Sequence, residues 1–202
     1  NGVYKPVSAN GDINTIGTVV TIGTEQFYTI GTEGDNVKLL SMFNLHVGNV
    51  LDEENWIMIP LSNPTGMQSL SAKGDAGEEF PLIGATAFSS DTQKGINYGD
   101  YNGSIVEEYV NNYKTILESD YGVDIVEARL ITKDELNDSN TFECNRTCPD
   151  KYPWIYSTSY WTGSGESCVW SVFYGGSLSC SNYSYDDRYG VRPVIIISKS
   201  NF

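Results

Sequence analysis

Hydrophobic and polar positions first fall into a clear pattern near the start of the chain. Residues 18–22 are β-branched, residues 26–30 alternate, and residues 37–40 are apolar. Gly23-Thr24 and Gly34-Asp35 separate these runs, so the pattern predicts a three-stranded meander that ends in residues 39–45. Thr-Ile-Gly-Thr recurs at 15–18, 21–24 and 29–32, a period too short for a solenoid unit and suited to hairpin turns. Residues 46–103 hold no sustained period. They carry Asp52-Glu53-Glu54, Asn63-Pro64-Thr65-Gly66 and several Gly clusters, and read as an irregular, inserted or functional stretch. A helix is predicted over 104–118. Ser104 and Glu107 form a capping-box pair, and Val106, Tyr109, Val110, Tyr113, Ile116 and Leu117 share one face. Gly122 follows as its stop. Residues 124–131 alternate as a strand, and Thr132 with Glu135 is a second capping box opening a short helix. An aromatic, Gly- and Ser-rich ladder of strands fills 152–198. Strands and helices are segregated along the chain, which predicts an α+β class.

Composition narrows the function. The 202 residues carry 12 Lys plus Arg against 26 Asp plus Glu, a net charge of −14. Nucleic acid is excluded as a partner, because phosphate binding needs a basic footprint. An anionic membrane surface would repel the chain for the same reason. No apolar run reaches the roughly 18 residues of a membrane-spanning helix. The chain starts at Asn1 and is expected to be a mature product whose signal or anchor has been removed.

Cys144, Cys148, Cys168 and Cys180 are an even set in a Ser/Tyr/Gly-rich acidic chain, which points to disulfides. Three pairings are open; 144–148 and 168–180 are favoured because both close short loops. A zinc site lacks paired Cys-x-x-Cys spacing and has only a distant histidine. Free buried thiols would fit a cytosolic protein.

Tyr160-Trp161-Thr162-Gly163-Ser164, Val169-Trp170-Ser171-Val172 and Gly190-Val191-Arg192-Pro193-Val194 form the late ladder. With the helix at 104–118 and the segment 129–136, they resemble the C-type-lectin-like fold of bacterial surface proteins. That fold is related to variable receptor proteins and to formylglycine-generating-enzyme-like domains. The resemblance covers about residues 95–198. It implies two helices flanking a small sheet, with the termini paired. The expected organisation is a β-meander extension at 1–45 and a lectin-like domain at 46–202, with the irregular insertion at about 46–95.

The resemblance further implies an exported, non-enzymatic protein displayed on a bacterial cell surface, binding a glycan or a protein ligand without a cofactor. Self-association as a pilin-like or structural surface subunit is the alternative. The sugar-binding tripeptides Glu-Pro-Asn, Gln-Pro-Asp and Trp-Asn-Asp of calcium-dependent lectins are absent. No reactive-cysteine cleft can be carried over from the formylglycine-generating relatives, so no catalytic residue is assigned.

The expected ligand-binding residues are Glu166, Tyr174, Ser177, Ser179, Asn182, Tyr183, Tyr185, Asp186, Asp187 and Arg188. Tyrosine offers large amphipathic contact area and Ser and Asn adaptable hydrogen bonds, the composition of paratopes. Tyr189 belongs to the same crowd. Trp161 and Trp170 are expected in the core, and Arg192 is expected to hold a loop through hydrogen bonds to carbonyls. A catalytic triad would have to use His46, the one histidine, which reads as structural. Residues 100–104 have a superficial calcium-loop look, but the Gly is misplaced and the twelfth position is Asn111. No metal is therefore assigned.

Overall fold

The computed structural model describes residues 5–69, 83–89, 99–165, 168–181 and 189–202. In chain order the strands and helices are β1 Val7–Ala9, β2 Val19–Ile22, β3 Glu25–Glu33, β4 Asn36–Ser41, β5 Asn49–Asp52, β6 Ile57–Pro60 and β7 Ile83–Thr86. Then come α1 Ile105–Tyr121, β8 Ile125–Leu130, α2 Lys133–Asn137, β9 Tyr160–Gly165, β10 Val169–Val172, β11 Leu178–Ser181, β12 Tyr189–Gly190 and β13 Pro193–Ser198. A 3-10 turn at Pro153–Tyr156 precedes β9.

The strands form two sheets. The first is antiparallel throughout, in the order β1-β2-β3-β4-β13-β8. The second runs β11-β10-β9-β12-β7-β5-β6, with one parallel pair, β12 on β9. The meander predicted from residues 18–40 is β2–β4, and the alternating run at 124–131 is β8.

β13 explains how the first sheet is buried. Its residues from Pro193 to Ile197 are buried, and its run of Val and Ile is what a strand covered on both faces looks like in sequence. Ile195 and Ile197 join the cluster that holds Val110, Tyr113 and Leu117 of α1. Val194 and Ile196 join the cluster that holds Tyr160, Val172 and Leu178 of the second sheet. Each fully buried Val or Ile contributes about 1.5–3 kcal/mol relative to exposure.

α1 starts where its cap predicts. The Ser104 Oγ accepts the Glu107 N–H at 3.1 Å. The reciprocal arm differs from the expected box. The Glu107 carboxylate accepts the Gly103 N–H at 3.1 Å, while the Ser104 N–H donates to the Tyr101 carbonyl. Gly122 ends the helix at φ 64°, donating its N–H to the Glu118 carbonyl at 3.0 Å. The second capping box is complete: Thr132 and Glu135 satisfy each other's backbone N–H groups.

A buried polar tie joins α1 to the first sheet. The Tyr113 hydroxyl and the Gln68 N–H both donate to the Glu25 carboxylate, at 3.0 and 2.8 Å. The Gln68 side chain pairs with the Gln26 backbone like an extra strand residue, accepting its N–H at 2.9 Å and donating to its carbonyl at 2.6 Å.

The α+β class and the C-type-lectin-like fold with an N-terminal β-meander extension do not hold. The described residues are 39% strand and 17% helix, arranged as two sheets with few helices. The short helix predicted by the Thr132–Glu135 box is present as the five-residue α2, too small to be the second flanking helix that the resemblance implies. The termini do not pair, because β13 lies between β4 and β8 and β1 sits at the far edge. Nor is the meander peripheral: β4 pairs with β13 over five residue pairs. Three strands, β5–β7, stand in the stretch read as irregular.

Candidate functional site

The described part of the expected binding surface is the β10–β11 hairpin at one end of the second sheet. Trp170 lies opposite Cys180, Ser171 opposite Ser179 and Val172 opposite Leu178. Alternation decides what is displayed. Leu178 is buried, whereas Ser177 and Ser179, pointing the other way, are exposed. Ser171, the cross-strand partner of Ser179 on that same face, is 1% exposed, with no hydrogen-bond partner for its Oγ.

Tyr174 occupies the turn between the strands. It is half-buried, with its ring 4.7 Å from that of Phe173. Its N–H donates to the Ser159 Oγ at 2.9 Å, and the Gly175 N–H donates to the Tyr156 carbonyl at 3.2 Å. The turn is thus fastened to the body of the protein through its backbone. The structure brings Tyr174, Ser177 and Ser179 together on one hairpin. Glu166, Asn182, Tyr183, Tyr185, Asp186, Asp187 and Arg188 lie outside the described residues. Tyr189 belongs to the core side instead, its ring 4.7 Å from Trp161.

Both disulfides bracket this hairpin, and they are the pair favoured by loop length. Cys168–Cys180 joins the approach to β10 to β11. Cys144–Cys148 closes a loop that lies along the outer edge of β11. The Leu178 N–H donates to the Arg146 carbonyl and the Cys148 N–H to the Gly176 carbonyl, each at 2.7 Å. All four cysteines are bonded, which leaves no thiolate for zinc and no free thiol.

Behind the hairpin the chain is held by charge. Trp161 is fully buried and donates its Nε1–H to the Thr86 carbonyl at 2.8 Å. Trp170, expected in the core, is half-buried, with the Lys133 ammonium 4.0 Å from its ring centroid. Sequence reading missed this pairing. The capping box locates Lys133 at the start of α2, but no local signal connects it to Trp170, 37 residues on by their numbers.

Arg129 and Lys38 converge on Glu135, at 2.6 and 3.2 Å. Burial alone would raise the Glu135 carboxyl. The Arg129 hydrogen bond and charge, the Thr132 N–H and Lys38 outweigh burial and hold it down to about 2.

Arg192 is fully buried and does what the sequence suggested, over a wider span. Its guanidinium donates to the carbonyls of Ser41 (2.7 Å), Met42 (3.4 Å), Trp154 (2.9 Å) and Ile155 (3.3 Å). It also lies 5.1 Å from the Tyr160 ring centroid. Burial pushes the Tyr160 phenol up to about 12 against the opposing pull of Arg192. That phenol stays neutral and donates to the Ile155 carbonyl.

The remaining candidates have local roles. His46 accepts the Thr65 N–H on Nδ1 at 3.1 Å and so anchors the 63–66 turn. Asp100 accepts the Asn102 N–H at 3.0 Å in the turn leading to α1. Among the described residues no group of three or more His, Cys, Asp or Glu is gathered to hold a metal. Among them, too, no helix is long and apolar enough to cross a membrane.

No family model, curated protein or solved structure matches the chain.

Proposed function

We propose that this protein is an exported recognition module, displayed at a cell surface, that binds a glycan or protein ligand without catalysis. Its binding surface is the β10–β11 hairpin together with the Ser-, Asn- and Tyr-rich segment 182–188. One observation carries this reading. Ser177 and Ser179 are exposed on a hairpin that two disulfides and the Tyr174 and Gly175 backbone bonds hold at its edge, its root and its turn. A rigid mount for small polar side chains lowers the ordering cost of binding. The adjoining tyrosines, Tyr183 and Tyr185, supply contact area. Two disulfides suit an oxidising compartment, as outside the cell.

The test is a binding screen on glycan and surface-protein arrays, followed by Tyr183→Ala/Tyr185→Ala in whichever ligand emerges. Affinity falls at least about tenfold with unchanged thermal unfolding if these tyrosines are contact residues. Unchanged affinity would remove them from the site.

A further inference from the structure

Among the described residues four strands end the two sheets: β1 and β8 in the first, β11 and β6 in the second. Three are guarded. β1 is three residues long. β8 carries the Glu127–Arg129 ion pair at 3.7 Å. β11 is overlaid by the 144–148 loop. β6 differs. Ile57 and Ile59 are 54% and 40% exposed, and neither Lys nor Arg occurs anywhere in residues 39–72. Proteins ordinarily guard such an edge with charge, above all lysine, or with a covering segment. Among the described residues only its short length and Pro60 blunt it.

The register extends this apolar strip across the sheet. Ile59 lies opposite Val50, and Val50 opposite Ile83, so three β-branched side chains form a row over β6, β5 and β7. Val50 and Ile83 are themselves half-exposed, while Leu51 on the other face is buried. The strip ends at the acidic turn Asp52-Glu53-Glu54. Asp52 shapes that turn by accepting from the Glu54 N–H at 3.1 Å and the Asn55 Nδ2–H at 2.7 Å, and Glu54 is exposed.

We propose that β6 is a docking edge for an extended cationic peptide segment of another protein. The segment adds to the sheet as a further strand. Its alternate apolar side chains lie on the Ile57, Ile59 and Val50 strip, and a Lys or Arg meets Glu54 in the acidic turn. Charge selects this occupant. Residues 39–72 carry three carboxylates and no Lys or Arg, within a chain of net charge −14. A basic segment is attracted there and a second copy of the chain is repelled. Size points the same way. A four-residue edge is small beside the roughly 1,200 Å² or more of a stable protein–protein interface, whereas strand addition draws affinity from main-chain hydrogen bonds. This inference is independent of the hairpin surface at the opposite end of the same sheet.

The experiment uses two labelled nine-residue peptides of alternating valine and threonine, one ending in two lysines and its twin in two glutamates, followed by fluorescence anisotropy. The lysine peptide is expected to bind at least about tenfold tighter than its twin, and about tenfold weaker in half-molar salt. Ile57→Thr/Ile59→Thr leaves the charge unchanged and should weaken it by about tenfold, because the apolar strip is lost. Glu54→Lys should narrow the preference between the twins. Thermal unfolding of both variants confirms that they fold. No binding of the lysine peptide, equal binding of the twins, or full binding by the isoleucine variant would overturn the proposal. So would a sedimenting dimer that the isoleucine variant dissolves, since the occupant would then be a second copy.

Discussion

At the scale of single residues, Arg192 joins segments far apart in the chain. One side chain ties the end of β4, through Ser41 and Met42, to the 3-10 turn before β9, through Trp154 and Ile155. A Met of similar length would leave those carbonyls buried without their donor. Arg192→Met is therefore expected to cost at least about 3 kcal/mol in urea unfolding, and a loss under about 1 kcal/mol would contradict this role. Glu135 makes a prediction about acid. A carboxylate held below its ordinary value contributes stability above the unfolded pKa and loses it as pH falls through the folded one. The Glu135 contribution should thus be complete above pH 4.5 and decline toward pH 2. The difference in urea midpoint between the wild type and Glu135→Gln, followed from pH 6 to pH 2, should shrink toward zero across that window. A difference independent of pH would exclude the ion cluster as its cause.

At the scale of elements, what the sequence revealed depended on how locally each element is determined. α1 announced itself by a cap, an apolar stripe and a stop, all within its own length. Ser104→Ala should cost about 1 kcal/mol in thermal or urea unfolding, since one N–H loses its cap, and a neutral effect would show the Gly103–Glu107 bond to be the stronger anchor. The meander was legible for a similar reason, with β-branched runs separated by turn residues. β5 and β7 were not. Asn49-Val-Leu-Asp52 and Ile83-Gly-Ala-Thr86 contain residues disfavoured in strands, and although β5 turns locally into β6, the partners of β7 are β5 and β12, both distant in sequence. Gly190 illustrates the same dependence. β12 is two residues long, and any Cβ at Gly190 would run into the Asn44 side chain. Such a strand has no sequence signature of its own. In the candidate site, the disulfide pairing and the exposed serines were legible from loop length and composition. The Lys133–Trp170 contact and the carbonyls gathered by Arg192 were not, because both join distant elements.

At the scale of the whole molecule, helices segregated along the chain led to an α+β expectation, yet two sheets dominate. The expectation gave weight to the two helices and none to residues 46–103, where β5, β6 and β7 stand. The Thr132–Glu135 box is fully formed and opens the short helix it predicts, five residues that add little to the helical content. The two sheets also give the molecule its polarity. The second sheet has a disulfide-braced polar hairpin at one end and an apolar, acid-flanked edge at the other. The most direct test of the proposed recognition role is a glycan and surface-protein array probed with the wild type and with Ser177→Arg/Ser179→Arg, with and without a calcium chelator. The account predicts at least one ligand that is retained in chelator and weakened about tenfold or more by the two arginines, at unchanged unfolding temperature. Ligands that bind the arginine variant as tightly as the wild type, or no ligand on either array, would contradict it.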